Sequence, residues 1–396
     1  MSEWKKVKLG DVCEITSSKR IFMSDYVGQG IPFYRSKEIA ELQKGDSIST
    51  PFFISKEKFE EIKTKFGIPQ KGDLLLTAIG ATLGIPFVVK DNNPFYFKDG
   101  NLIWFKNFNK NYNSSYLYYW MLTDFGYQSM LNVAIGSAQK ALTISALKGL
   151  EITFPSATTQ QRIATILSRY DSLIENYQKQ IKLLEESAQR LYKEWFINLR
   201  FPGYENTKIV DGVPEGWEKK KITELLNVQY GYAFDGKLFN SNSEGMPILR
   251  IRNIPDGITS DYTTEEASAD YVVHNGDIVV GMDGIFHINT WSGGDAYLVQ
   301  RTCSFRPIEE VIKGFIFLAI KEPIKYFEQT LVGSTVAHLG KKHIDSIEIL
   351  VPNRKELFKS LQDIFNQRQN MLYQIRHLTE ARDRLLPKLM SGEINV

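Results

Sequence analysis

Between Ser156 and Phe201 the chain contains neither glycine nor proline, and apolar side chains return at steps of four and three. Ile163, Leu167, Tyr170, Ile174, Tyr177, Ile181, Leu184, Ala188, Leu191 and Trp195 fall on one face. A 3.5-residue repeat held over several heptads predicts a coiled-coil seam, because that period keeps one stripe against a partner along a long helix. The same ten-step rhythm recurs 194 residues later, from Leu357 through Leu361, Ile364, Arg368, Met371, Ile375, Leu378, Arg382 and Leu385 to Leu389. Each helix of about forty residues would be roughly 60 Å long at 1.5 Å per residue. Seams of that length must be covered, and pairing them within the chain is the economical solution.

Two matched helices predict a wider repeat, and four blocks carry it. Trp4, Leu9, Val12 and Ile15 align with Trp217, Ile222, Leu225 and Val228. IPFYRSKEI (31–39) matches MPILRIRNI (246–254), and KGDLLLTAIG (71–80) matches NGDIVVGMDG (275–284). GSAQKALTISALKGLEITFP (136–155) matches GSTVAHLGKKHIDSIEILVP (333–352). The offset falls from 215 to 204 and then to 197, so the second half is shorter between blocks. Insertions are tolerated in surface loops. The halves are therefore expected to share a frame and to differ in the loops it displays.

Locally, 74–79 and 278–282 read as short buried strands after a Gly-Asp turn, and 151–154 and 348–351 as strands ahead of each long helix. Each globular part is thus strand-rich α+β. Thr158 with Gln161 and Asn353 with Glu356 have capping-box spacing. Phe201-Pro202-Gly203 is the expected stop of the first helix, and Pro387 with Gly392 that of the second. If an approximate two-fold relates the halves, the helices run antiparallel.

With 396 residues there is room for two or three domains, and 43% hydrophobic content supports packed cores. A formal charge of +2 argues against a protein that coats nucleic acid by itself, while leaving local basic patches open. Cys13 and Cys303 give no disulfide framework or cysteine metal site, and the setting expected is a reducing cytoplasm. The opening MSEWKKVKLGDV lacks a signal-peptide core, and the apolar run 315–320 is too short to span a bilayer.

The decoys for catalysis are weak. Asn92-Asn93-Pro94-Phe95 lacks the second proline of an adenine-methyltransferase loop and reads as a turn. GSTVAHLGKK (333–342) has the wrong spacing for a phosphate loop. His274, His287, His338, His343 and His377 show no metal-ligand spacing. Cys13, at the repeat position of Leu226, reads as a small buried side chain.

WKKVKLGDV, DGVPEGWEKKKITELL, KGDLLLT with NGDIVVG, EITFPSATTQQRIATIL with EILVPNRKELFKSLQDIF, AQRLYKEWF and RDRLLPKLMSGEI stand in order along the chain. Together they resemble the specificity subunit of type I restriction–modification systems, over essentially the whole length. One departure is Asn353-Arg354-Lys355-Glu356, where the family often has a Pro-x-x-Glu-Gln type run. The resemblance implies an α+β chain of two tandem-duplicated strand-rich target-recognition domains, separated by two long helices forming an antiparallel intramolecular coiled coil. On that reading 1–155 and 217–352 are the recognition domains, 156–201 and 353–396 the conserved-region helices, and 202–216 a linker. It implies a non-catalytic, cytoplasmic subunit that reads a bipartite, asymmetric site on double-stranded DNA. Its helices would dock two methyltransferase subunits, which bind S-adenosylmethionine, and a translocase–nuclease subunit joins for restriction. No metal or cofactor is expected on this chain. The rival classes are a single-chain DNA methyltransferase or nuclease and a duplicated coiled-coil scaffold.

Arg35 and Arg250 occupy equivalent repeat positions, so phosphate contact or a structural role suits them better than base reading. Lys37 stands beside the first. Base contacts are expected where the halves differ. In the first half these are Lys19, Arg20, Thr82, Gln139 and Lys140; in the second, Arg252, Asn253, Asp283, His287, Asn289, Thr335, His338 and Lys341. Arg368 and Arg382 interrupt the second seam. Each calls for a carboxylate or Tyr170 or Tyr177 on the first helix, or else a place at an open end or under a partner subunit. Trp195, Phe196, Leu385, Leu386 and Leu389 are candidate exposed patches for such a partner.

Overall fold

In the Gly72-Asp73 turn, Gly72 takes φ +93° and the Asp73 carboxylate accepts from the Gln70 N–H and the Trp104 indole, at 2.9 and 2.8 Å. The wholly buried strand Leu74–Thr77 follows. In the second half Gly276 takes φ +87°, Asp277 accepts from the His274 N–H at 3.1 Å, and the buried strand Ile278–Gly281 follows. A positive φ favours glycine and the short carboxylate closes the turn, so the repeated Gly-Asp builds the same corner twice.

The computed structural model describes residues 4–45, 48–137, 139–331 and 337–396. It comprises two compact units, Met1–Glu175 with Leu378–Val396, and Asn176–His377. Each unit takes part of each long helix, Ala157–Tyr192 and Glu356–Ser391, so the division falls within the helices.

In the first unit an antiparallel sheet runs Glu14–Thr16, Leu102–Lys106, Leu74–Thr77, Pro86–Val88. In the second, Leu226–Tyr230, Thr302–Pro307, Ile278–Gly281 and Ile288–Thr290 take the same order. Each unit has a further mixed sheet with one parallel pair, Ile31–Tyr34 with Tyr96–Phe97 and Met246–Leu249 with Ala296–Leu298. Lys5–Lys8 pairs antiparallel with Glu151–Phe154, and Trp217–Lys221 with Glu348–Pro352. Hydrogen bonds repeat atom for atom. The Ala78 N–H donates to Asn101 and the Met282 N–H to Arg301; Leu142 donates to Ala78 and Leu339 to Met282. The length difference is taken up partly by helices rather than loops alone. Ser36–Lys44 and Lys56–Phe66 stand in the first unit where the second has the short turns Ile251–Asn253 and Ala269–Tyr271.

Within each unit the long helices are antiparallel. In the first, Ile163 and Leu167 share a core with Leu386, Leu389 and Met390, while Asp171 meets Arg382 at 2.7 Å. In the second, Glu185 meets Arg368 at 2.6 Å and Phe196 stacks on Phe358. Both seam arginines thus find a first-helix carboxylate, one of the alternatives expected. Asp171 also accepts from the Tyr119 hydroxyl at 2.6 Å, and burial, then the neighbouring charge, pushes that phenol up.

Several expectations need correction. Ser156, not Thr158, caps the first helix, its hydroxyl accepting from the Thr159 N–H at 3.2 Å. That helix ends in a π turn, Lys193–Ile197, ahead of Phe201, and Leu199 turns the chain at φ +58°. Pro387 lies inside the second helix, which continues to Ser391 before Gly392. Phe196, Leu386 and Leu389 are buried and Trp195 and Leu385 half-buried against the same cores, so they form no exposed patch. The seam brings them inward because the helices continue into the domain cores.

Cys13 and Cys303 are both buried. Burial, reinforced by Asp73 and Glu14, pushes the Cys13 thiol up to about 12, and burial also raises that of Cys303. The thiolate is the reactive form. A thiol-selective reagent at neutral pH is therefore expected to label neither cysteine until the chain unfolds; rapid labelling of folded protein would contradict this.

Candidate nucleic-acid interface

In the second unit the strand Met246–Leu249 delivers Arg250 to the start of a short turn, where its N–H donates to Asn253 Oδ1 at 2.9 Å. Its guanidinium lies over the Phe239 ring, 5.4 Å from the centroid, and makes no ion pair among the described residues. Arg252 is held by Asp261 in a two-pronged pair of 3.1 and 2.5 Å. These two arginines, His287, Gln300 and Arg301 line an open cleft of about 600 Å³ with Phe234 and Phe239. Cations beside aromatic and amide groups in one concavity suit a polyanion whose bases are also inspected.

Arg301 was missed by sequence reasoning, since the turn between its flanking strands lies outside the four aligned blocks. It takes φ +73°, a conformation L side chains rarely adopt. Its Nε is 3.4 Å from Asp283 Oδ2, while Asp283 Oδ1 meets His338 Nδ1 at 2.5 Å. Asp283 is thereby engaged with two neighbouring side chains. Asn289 is engaged within the protein likewise. Its amide donates to the Ile254 and Pro255 carbonyls and its oxygen accepts from Arg368 and the Thr290 N–H. Asn253 caps Arg250 and leans toward Asp261. Lys341 is exposed at the start of a short helix, and Thr335 lies outside the described residues.

The first unit places its candidates differently. Arg35 sits where Arg250 does, but Glu38, fully buried, accepts from its N–H, Nε and Nη2 at 2.8, 3.1 and 2.6 Å. That hydrogen bonding raises the Arg35 pKa above its already high value. Its guanidinium also lies 4.1 Å from the Phe52 ring centre. Arg20 pairs with Asp99 at 2.9 Å, Lys37 with Glu41 at 3.8 Å, and Lys19 lies over Phe66. Ala141 bridges Ile79 and Ile135, which brings Gln139 and Lys140 alongside the Gly80–Thr82 turn. Asp283 and His338 form the equivalent bridge in the second unit. One frame therefore carries an apolar pair in one unit and a charged, hydrogen-bonded pair in the other.

Asn92-Asn93-Pro94 is an exposed loop, with Phe95 stacked on Tyr34 rather than open to a base. Among the described residues no group of three or more His, Cys, Asp or Glu could hold a metal ion. No described helix is long and apolar enough to cross a membrane.

The family model for the type I restriction modification DNA specificity domain matches residues 1–186 and again 214–375. This chain belongs to that family. The MjaIX specificity subunit of Methanocaldococcus jannaschii is 29% identical over 100% of this chain and 94% of its own length. The HindI specificity subunit of Haemophilus influenzae is 22% identical, with both chains covered completely. The crystal structure of the type I system S subunit from M. genitalium shares the fold, with a TM-score of 0.59 over 98% of this chain and 96% of that one at 16% identity. A specificity subunit is a recognition component, not an enzyme, which agrees with the duplicated frame and its unequal side chains.

Proposed function

We propose that each unit of this specificity subunit reads one half of a split, asymmetric site on double-stranded DNA. The long helices set the spacing and dock two methyltransferase subunits, which carry S-adenosylmethionine, and a translocase–nuclease subunit completes the complex for restriction. The observation that supports two different half-sites is the shared frame with unlike chemistry. The Arg35 guanidinium is neutralised by Glu38, whereas Asn253 in the same place accepts only the Arg250 backbone N–H and the Arg250 guanidinium lies over Phe239. Ile79 with Ala141 stands where the second unit has Asp283 with His338. A shared frame bearing different donors and acceptors suits the reading of two unlike base sequences. The near-neutral net charge fits a division of labour in which partner subunits supply many phosphate contacts.

Adenine methylation mapped at base resolution in the host, with and without the gene, tests this directly. Deletion is expected to abolish one bipartite methylated motif. Exchanging residues 1–155 for those of another specificity subunit is expected to change one half of the motif and leave the other. A methylation pattern indifferent to the gene, in a host whose methyltransferase is active, would refute the reading.

A further inference from the structure

Resting on that function, we infer that Arg301 is the side chain with which the second unit reads a guanine, and that Asp283 aims it. The backbone supplies the first reason. In the first unit the corresponding turn, Lys98 to Asn101, has its positive φ on Gly100, at +72°. The two turns are tied to the frame alike, through Lys98 N–H to Tyr34 and Ala78 N–H to Asn101 in one unit, and Val299 N–H to Leu249 and Met282 N–H to Arg301 in the other. These bonds set Arg301 opposite Asn101, so the positive φ sits one residue later in the shorter second turn. Glycine would take it without strain, as Gly100 does, and the fold does not need arginine there. Strained non-glycine residues gather where a side chain has a task. Of the five described non-glycine residues with positive φ, Arg301 is the one lining the cleft.

Orientation supplies the second reason. Arg301 has a side chain half exposed to solvent, at 52%, while Asp283 lies beneath it at 29% and holds its Nε edge. His338 Nδ1 meets Asp283 Oδ1 at 2.5 Å and lies 3.5 Å from Arg301 Nη1, so the three side chains brace one another and Nη2 is left facing the cleft side. A phosphate contact tolerates a swinging cation. A base contact needs the guanidinium plane fixed, and the two donors of an oriented arginine match the O6 and N7 acceptors of guanine. Asp283 is thus a positioning residue, and the base-reading group is one the duplication did not reveal.

The test uses the intact complex in its host, with methylation mapped for the wild type, Arg301→Gln, Arg301→Lys and Asp283→Asn. The wild-type motif is expected to hold a G·C pair in the half assigned to the second unit. Arg301→Gln should lower methylation of that motif roughly ten- to a hundredfold and relax only that position, the size of one lost two-pronged base contact. Arg301→Lys should restore little, because lysine cannot make the paired contact. Asp283→Asn should relax the same position with the melting temperature unchanged. Arg301→Gly should leave the melting temperature equal or higher while losing the G·C preference. A half-site without G·C would overturn the inference, as would even weakening with an unchanged motif, the mark of a phosphate contact. A melting temperature lowered by Arg301→Gly would overturn it too. If no methylated motif depends on the gene, the broader function fails instead, and the two failures are distinct.

Discussion

Phe196→Ala is expected to lower the unfolding free energy by about 3–5 kcal/mol, the usual range for removing a buried aromatic ring. Phe196 is 5% exposed, with ring centroids of Phe315, Tyr192, Trp217 and Phe358 at 4.8, 5.5, 5.7 and 6.2 Å. Truncation deletes the ring's own burial and leaves those four without a central partner, in a core of large rings that cannot close over the gap. An exposed docking residue would behave in the opposite way, leaving stability nearly unchanged and weakening assembly. The neighbouring Ile197, 58% exposed, is the comparison: Ile197→Ala should cost less than about 0.5 kcal/mol, as surface substitutions usually do. Denaturant unfolding of both variants, alongside capture of the methyltransferase subunit at matched folded concentration, separates the cases. A stable Phe196→Ala chain that no longer captures its partner would restore the docking role.

The long helices and the duplication were legible in the sequence because each rests on many residues with one period or one order. A single exception, such as Arg368 in an apolar stripe, does not erase a ten-step pattern. The Gly-Asp corners were legible for a different reason: positive φ and a turn-closing carboxylate leave little choice of residue. The site was only partly legible. Comparing halves named the arginines at 250 and 252, which fall in an aligned block, and His287 just past the end of another. It also promoted Asp283 and Asn289, whose hydrogen bonds are made inside the protein and become visible only with partners from distant strands and helices. Arg301 stayed hidden because the turns around 98–101 and 299–301 differ in length, so no offset aligned them. An arginine in a tight turn between two strands, where the other half has Asp99-Gly100-Asn101, was the signal available. The seam also misled at its ends. Periodicity identifies which face is apolar but not whether a domain core covers it, and Trp195 and Leu389 both pack against one.

Arg368→Ala is expected to destabilise the second unit by about 2–3 kcal/mol, less than a bare buried charge pair would suggest. The side chain is 10% exposed and carries three charge-assisted contacts: Nε to Glu185 at 2.6 Å, Nη1 to Thr290 Oγ1 at 2.6 Å and Nη2 to Asn289 Oδ1 at 3.1 Å. None of the acceptors is left bare by its removal. Thr290 keeps Gln369 at 2.7 Å, Asn289 keeps the Thr290 N–H, and Glu185, 38% exposed, can be hydrated. The hydrogen bonds to the strand should therefore outweigh the ion pair. Glu185→Gln is accordingly expected to cost no more than about 1 kcal/mol, the scale of a partly exposed pair. Equal losses for the two variants would make the ion pair dominant and contradict this order. The anchored residues, Asn289 and Thr290, lie on the strand Ile288–Thr290 directly after His287 of the cleft. Asn289 in turn holds the carbonyls of Ile254 and Pro255, just past Arg252 and Asn253. Loosening Arg368 should consequently relax the half-site read by the second unit before it affects the other, a change that methylation mapping of Arg368→Ala below its melting temperature would detect.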